Sequence, residues 1–238
     1  MNAHAEAPVS RFEGLADWYE QAMSSDSGRK ALRNASNELL KDLIGPGSGT
    51  ALDIGCGTGT VSDLLRELGY DPIGVDLAAD QLRIAVERLP VVQADAANLP
   101  FLSGSIPLAY STYTTGAYDD LQRVLKEIAR VLKPGGRYVE ITTHPCFNGG
   151  YAELQADGSV IVRPGYQRTQ FLQPSHFKSA TSTIRSRVGA WNRSLEEEIN
   201  VILKAGLQIV RVTEGGSGAL PDTIGIFAVK PKEAESES

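Results

Sequence analysis

The chain has 238 residues, 42% apolar and 22% charged, with a formal net charge of −6 and no basic block. That length suits one α/β domain with a full core, and the charge argues against a nucleic-acid backbone as partner. Cys56 and Cys146 stand far apart without metal-site spacing, and no apolar run reaches bilayer length. A disulfide scaffold, a zinc or other metal site and a membrane partner are not expected, and the protein reads as cytoplasmic.

Residues 1–9 read as a tail, as do 231–238, which are rich in Glu and Ser. Residues 10–49 hold two expected helices, 11–22 with Leu15, Trp18 and Tyr19, and 28–44 with Leu32, Leu39, Leu40 and Leu43. Gly45-Pro46-Gly47 stops the second. From there short apolar runs alternate with helical patterns. Strands are expected at 50–54, 72–75, 91–94, 107–113 and 137–142, and helices at 58–68, 78–88 and 119–132. This rhythm implies a mostly parallel sheet covered on both sides. It breaks at 144–190, which reads as a substrate-side insertion within a single domain spanning 1–238. Ser194 and Glu197 form a capping box for a helix to about 205, and strands follow at 208–213 and 223–229.

Three strand ends in succession carry the chemistry. The first is Asp53-Ile54-Gly55-Cys56-Gly57-Thr58-Gly59, a strand running into a glycine-rich turn and then a helix. Glycines allow positive φ and close ligand approach, and the helix start offers free N–H groups. Alone, such a loop is equally a tight strand-to-helix turn. The second is Val75-Asp76, where a carboxylate suits the two hydroxyls of a ribose and also suits helix capping. The third is Ala94-Asp95-Ala96-Ala97-Asn98-Leu99-Pro100-Phe101, an acid and apolar groups fit for an adenine ring, or a capped loop.

Together with Leu132-Lys133-Pro134-Gly135-Gly136, these segments resemble a class I S-adenosylmethionine-dependent methyltransferase, most strongly over 50–143. The resemblance implies a Rossmann-like three-layer sandwich with a seven-stranded, mostly parallel sheet, an antiparallel last strand and an N-terminal helical lid. It implies S-adenosylmethionine as cofactor and S-adenosylhomocysteine as product. It places Asp53, Gly55, Gly57 and Gly59 at the methionine part, Asp76 at the ribose, Leu77 against the adenine, and Asp95 and Ala96 at its amino edge. Ser111 and Thr112 would approach the sulfonium, with Tyr19 in the lid. The chain departs from the family at Ile106-Pro107-Leu108, where an acid often stands, and lacks a common His pair after Tyr113.

On the acceptor side, His144 follows a strand end and is the expected general base, if one is needed; its alternative is a packed, hydrogen-bonded ring. Tyr113, Tyr118, Phe147, Tyr166, Phe171 and Trp191 are candidate pocket walls. Arg163, Arg168 and Arg193 could meet an acidic acceptor, although solvated charge is the more ordinary role. The expected activity is methyl transfer by direct displacement to an oxygen, nitrogen or activated carbon of a small molecule, with secondary metabolism as one setting and a homodimer as one assembly. A non-catalytic S-adenosylmethionine-binding regulator shares these motifs. An NAD-dependent oxidoreductase fits less well, because Gly57 and Gly59 are separated by one residue and not two.

Overall fold

Alternation along the central strands sends successive side chains to opposite faces, and both faces are apolar, so helices must cover each. The computed structural model describes residues 10–25, 27–177, 183–216, 218 and 220–232. The expected N-terminal tail and all but the first two residues of the C-terminal one lie outside the described residues. The chain opens with α1 (Ala16–Ser25) and α2 (Ser27–Ile44). α1 starts later than periodicity suggests, because the preceding residues form a turn in which the Leu15 N–H donates to the Phe12 carbonyl.

The alternating part follows: β1 (Gly49–Ile54), α3 (Ser62–Glu67), β2 (Tyr70–Asp76), α4 (Ala79–Ala85), β3 (Val91–Gln93), β4 (Ile106–Thr112), α5 (Leu121–Val131) and β5 (Leu132–Thr143). α5 has clear causes. Asp120 caps it by accepting the Arg123 N–H at 2.9 Å, and Leu121, Val124, Leu125 and Ile128 recur on its buried face. β5 begins earlier than expected. The Gly135 N–H donates to the Lys230 carbonyl and the Lys230 N–H to the Gly136 carbonyl, both at 2.8 Å, so the Pro-Gly-Gly segment is drawn into the strand.

The insertion holds two small hairpins, β6 (Ala152–Leu154) with β7 (Val160–Val162) and β8 (Gln170–Leu172) with β9 (Ala190–Asn192). α6 (Arg185–Val188) precedes β9. Strands this short leave no readable period, so the sequence does not announce them. α7 (Leu195–Lys204), β10 (Gln208–Gly215) and β11 (Thr223–Val229) complete the chain. Ser194 caps α7 through the Glu197 N–H, but Glu197 turns to the Thr169 hydroxyl, so only half of the expected capping box forms.

The seven-stranded sheet runs β10-β11-β5-β4-β1-β2-β3. β11 is antiparallel to both its neighbours, while β1 to β5 pair in parallel. Leu40, Leu43 and Ile44 of α2 and Leu65 of α3 pack on Ala51, Leu108, Tyr110, Val139 and Ile141 on one face. On the other, α5 and α7 bury Leu125, Ile128 and Ile202 against Leu52, Ala109, Tyr138 and Ile226. This is the Rossmann-like three-layer sandwich that the strand rhythm implies. Among the described residues, no helix is long and apolar enough to cross a membrane.

Leu125 is fully buried between α5 and the sheet. Leu125→Ala is expected to cost about 2–5 kcal/mol, seen as a lower urea midpoint with an unchanged slope. An unmoved midpoint would contradict its place in the core.

Candidate active site

Strand order turns outward in both directions from the β1–β4 pair, and the carboxyl ends of strands at such a point leave a crevice. A cavity of about 580 Å³ lies there. The loop after β1 is its floor. The Gly55 and Cys56 N–H groups both donate to the Val75 carbonyl, at 2.7 and 3.0 Å, which ties the loop to the end of β2. Gly55 has φ +73°, and a Cβ there would come within 2.5 Å of the Thr114 methyl across the cavity. Gly57, at φ +53°, also lines the wall. Side chains at these two positions would strain the backbone, and at Gly55 one would also crowd the cavity.

Asp76 holds this corner. Its Oδ2 accepts the Gly57 N–H and its Oδ1 the Ala78 N–H, both at 2.9 Å. Each oxygen keeps a further acceptor site, and the residue lines the cavity. Burial pushes its pKa up, and the backbone N–H groups of Ala78, Gly57 and Leu77 oppose that rise. Capping and ligand-facing roles therefore coexist in one carboxylate. Asp95 accepts the Ala97 N–H at 2.9 Å through one oxygen. Leu77, Asp95 and Ala96 line the same wall.

The N-terminal segment covers the opening. The Ala16 N–H donates to Asp80 at 2.8 Å, and the Asp80 N–H to Glu13 at 3.1 Å. Arg88 binds both carboxylate oxygens of Glu20 at 2.9 and 2.8 Å while also donating to the Thr58 carbonyl. Half-buried Tyr19 and Phe12 reach the cavity from this cover.

A second cavity of about 340 Å³ lies between α1, α2, the end of β4 and the insertion. The two share Phe12, Tyr19, Thr112, Tyr113, Ala117 and Ile184 as walls. Tyr113 is held at φ +57°, unusual for a bulky residue. Its N–H donates to the Ile141 carbonyl at 2.7 Å, and its hydroxyl bonds Thr223 at 2.8 Å and Ser36. Glu198 of α7 lines the second cavity although 6% exposed, and its Oε2 has no partner among the described residues.

Tyr19, Gly55, Gly57, Asp76, Leu77, Asp95 and Ala96 are thus gathered around the first cavity. Four other expected residues are not. Asp53, 1% exposed, lies behind the loop; burial pushes its carboxyl up to about 7, and its Oδ1 has no partner among the described residues. Gly59 faces the end of α4 and the residues after it, where a Cβ would meet Leu89 at 2.5 Å and Ala85 at 3.4 Å, so it serves close packing. Ser111 points into the core and bonds the Tyr138 hydroxyl at 3.0 Å; strand alternation gives the cavity to Thr112. His144 is 1% exposed, its Nε2 is 2.7 Å from Glu214, and its Nδ1 accepts the Cys146 N–H. Both ring nitrogens are engaged away from the second cavity, whose nearby wall is Thr143 and Pro145.

Residues 52–139 match the model of a methyltransferase domain family. The chain is 36% identical over 97 residues to a sterol 4-C-methyltransferase of Caenorhabditis elegans, covering 37% of this chain and 29% of that protein. It is 31% identical over 244 aligned positions to a demethylmenaquinone methyltransferase of Lactococcus lactis, covering 93% of this chain and 90% of that one. A crystal structure of an S-adenosylmethionine-dependent methyltransferase from Mesorhizobium loti shares the fold. Its TM-score is 0.67 at 20% identity, over 83% of this chain and 99% of that one. The chain belongs to the class I S-adenosylmethionine-dependent methyltransferases. Its first cavity fits that cofactor: a side-chain-free cradle at Gly55 and Gly57, paired acids at Asp76 and Asp95, and apolar Leu77, Ala96 and Ala97 between them.

The Asp53 carboxyl yields a pH dependence. Its folded pKa, about 7, lies above the ordinary 3.8, so the unfolded chain releases this proton first. The stability it contributes is full below the ordinary value and is lost as pH rises through about 7. Asp53→Asn should flatten the stability–pH curve across that window in urea titrations. An unchanged slope would mean the carboxyl ionises as freely folded as unfolded.

Proposed function

We propose that this protein transfers the methyl group of S-adenosylmethionine to an oxygen, nitrogen or activated carbon of a small-molecule acceptor. The observation that carries the reading is the junction of the two cavities at Thr112 and Tyr113. Direct displacement needs donor and acceptor in line across a short gap with water excluded. When bound, the cofactor supplies an activated methyl on a sulfonium. On this reading Gly55 and Gly57 receive its methionine part, Asp76 the ribose hydroxyls, and Leu77 with Asp95 and Ala96 the adenine. The Tyr113 backbone, held in a conformation that costs about 1–3 kcal/mol, sets the partition between the two molecules. Tyr19 and Phe12 close the joint from above and exclude solvent.

The small size of the second cavity supports a small acceptor, as do relatives named for sterol and demethylmenaquinone substrates. His144 acts here as a strut that pins the start of the insertion to Glu214 of β10. Two cysteines without a disulfide suit a cytoplasmic setting.

Calorimetric titration with S-adenosylmethionine, S-adenosylhomocysteine and NAD tests the reading. Saturable binding of the first two without NAD is expected; binding of NAD alone would overturn it. Asp76→Ala should weaken cofactor binding by about 1–3 kcal/mol through lost charge-assisted hydrogen bonds. An unchanged dissociation constant would remove Asp76 from the ribose. With an accepted substrate, His144→Ala should lower thermal stability and keep turnover within about tenfold. A loss of about 10²–10⁴-fold at undiminished stability would restore it as a base.

A further inference from the structure

The second cavity carries an imbalance of charge. Its walls are largely apolar, with Trp18, Met23, Leu32, Leu172, Phe177 and Trp191 prominent. Yet Arg33, Arg185 and Arg193 also line it, and none of the three has a carboxylate within ion-pair distance among the described residues. Arg185 donates to the Asn148 backbone carbonyl at 2.7 Å and to the Asn148 side-chain oxygen at 2.9 Å, with its guanidinium 5.2 Å from the Phe177 ring centre. Burial lowers its pKa, and no acid opposes that. Arg193 spends its donors on the carbonyls of Thr115, Tyr118 and Asp119.

Arg33 projects from α2. The acid whose field it meets, Glu20, is already bound at both oxygens by Arg88. The one carboxyl on the described wall is Glu198; burial followed by the neighbouring Glu140 pushes its pKa up, toward the neutral form, and the field of Arg193 opposes that, so Arg193 has acids near it while Arg185 and Arg33 do not share them. Cations beside apolar walls without counter-ions are costly, and an anion brought by a ligand offsets that cost. A guanidinium has five N–H donors in a planar fork, so Arg185 keeps donors free after its two bonds to Asn148.

We propose that this cavity takes an acceptor with a carboxylate on an apolar, ring-sized body, the carboxylate meeting Arg185 and Arg33 and the body lying among Trp18, Phe177 and Trp191. The proposal rests on the methyl-transfer reading for the word acceptor, but the anion site stands on the geometry of the second cavity. Arg185 and Arg33 come from elements that flank the cavity, α6 of the insertion and α2 of the layer packed on the sheet, so a carboxylate between them bridges insertion and core.

The test is calorimetry on the full chain saturated with S-adenosylhomocysteine. Benzoate, cyclohexanecarboxylate and indole-3-acetate are titrated beside benzamide, cyclohexanecarboxamide and indole-3-acetamide. At least one carboxylate should bind saturably and about tenfold or more tighter than its amide, as expected for charge-assisted hydrogen bonds. Arg185→Gln and Arg33→Gln, each checked for unchanged S-adenosylhomocysteine binding, should remove most of that difference. Equal binding of acid and amide overturns the proposal, as does failure of every carboxylate to bind, or wild-type carboxylate affinity in both variants. If S-adenosylhomocysteine itself fails to bind, the methyl-transfer reading falls. The same carboxylate titration on the unliganded chain then still decides the anion site.

Discussion

Asp76 accepts the Gly57 N–H with one carboxylate oxygen and the Ala78 N–H with the other. Those two bonds join the turn after β1 to the turn after β2, and most of the first cavity hangs from that joint. Without it, a loop with glycines at φ +73° and +53° would have many alternatives, because glycine gives up the most backbone freedom on ordering. The Val75 carbonyl, accepting from both Gly55 and Cys56, locks the same joint from below. The parallel pairing of β1 with β2 brings these ends level. The same carboxylate that organises the floor thus also lines the cavity with its remaining lone pairs.

The second cavity depends on a different logic. Its walls come from α1, α2, the β4 end, the insertion and α7, all joined by long-range contacts. Arg193 ties the end of the insertion to the core. From just after β9 it crosses to three carbonyls in the segment after β4 and fixes the wall that carries Gly116 and Ala117. Phe171 and Trp191, opposite each other across the β8–β9 hairpin with ring centres 5.9 Å apart, stiffen the same side. On the proposed reading, acceptor specificity resides on elements outside the βα core, while the residues proposed to face the cofactor sit at its strand ends.

The sequence shows the βα rhythm because each long strand or helix repeats its apolar signal several times. The first cavity is legible for a related reason: Gly55, Gly57, Asp76, Leu77, Asp95 and Ala96 lie at the ends of β1, β2 and β3 or in the turns just after them. Errors arise where a residue's direction matters. Ser111 and Thr112 are neighbours on one strand, but alternation gives the cavity to only one. Asp53 is adjacent to the loop and lies behind it. His144 sits at a suitable strand end, but its ring is claimed by Glu214, 70 residues on. Arg33, Arg88, Arg185 and Glu198 leave no local signal, because their significance comes from partners, or missing partners, that are distant in sequence.

Arg88 ties the cover to the glycine loop by two contacts of different kind. Its guanidinium holds Glu20 of α1 with charge and the Thr58 carbonyl of the glycine loop with a neutral hydrogen bond. Swinging α1 outward breaks the ion pair and leaves the hold on the loop intact. The pair is only partly buried, so dissolved salt screens it. Arg83 with Asp17, more exposed, is screened further. Ionic strength therefore acts on the charged hold between α1 and Arg88, whereas the shape of the first cavity's floor is set by hydrogen bonds of the Gly55, Cys56 and Gly57 backbone that salt barely touches.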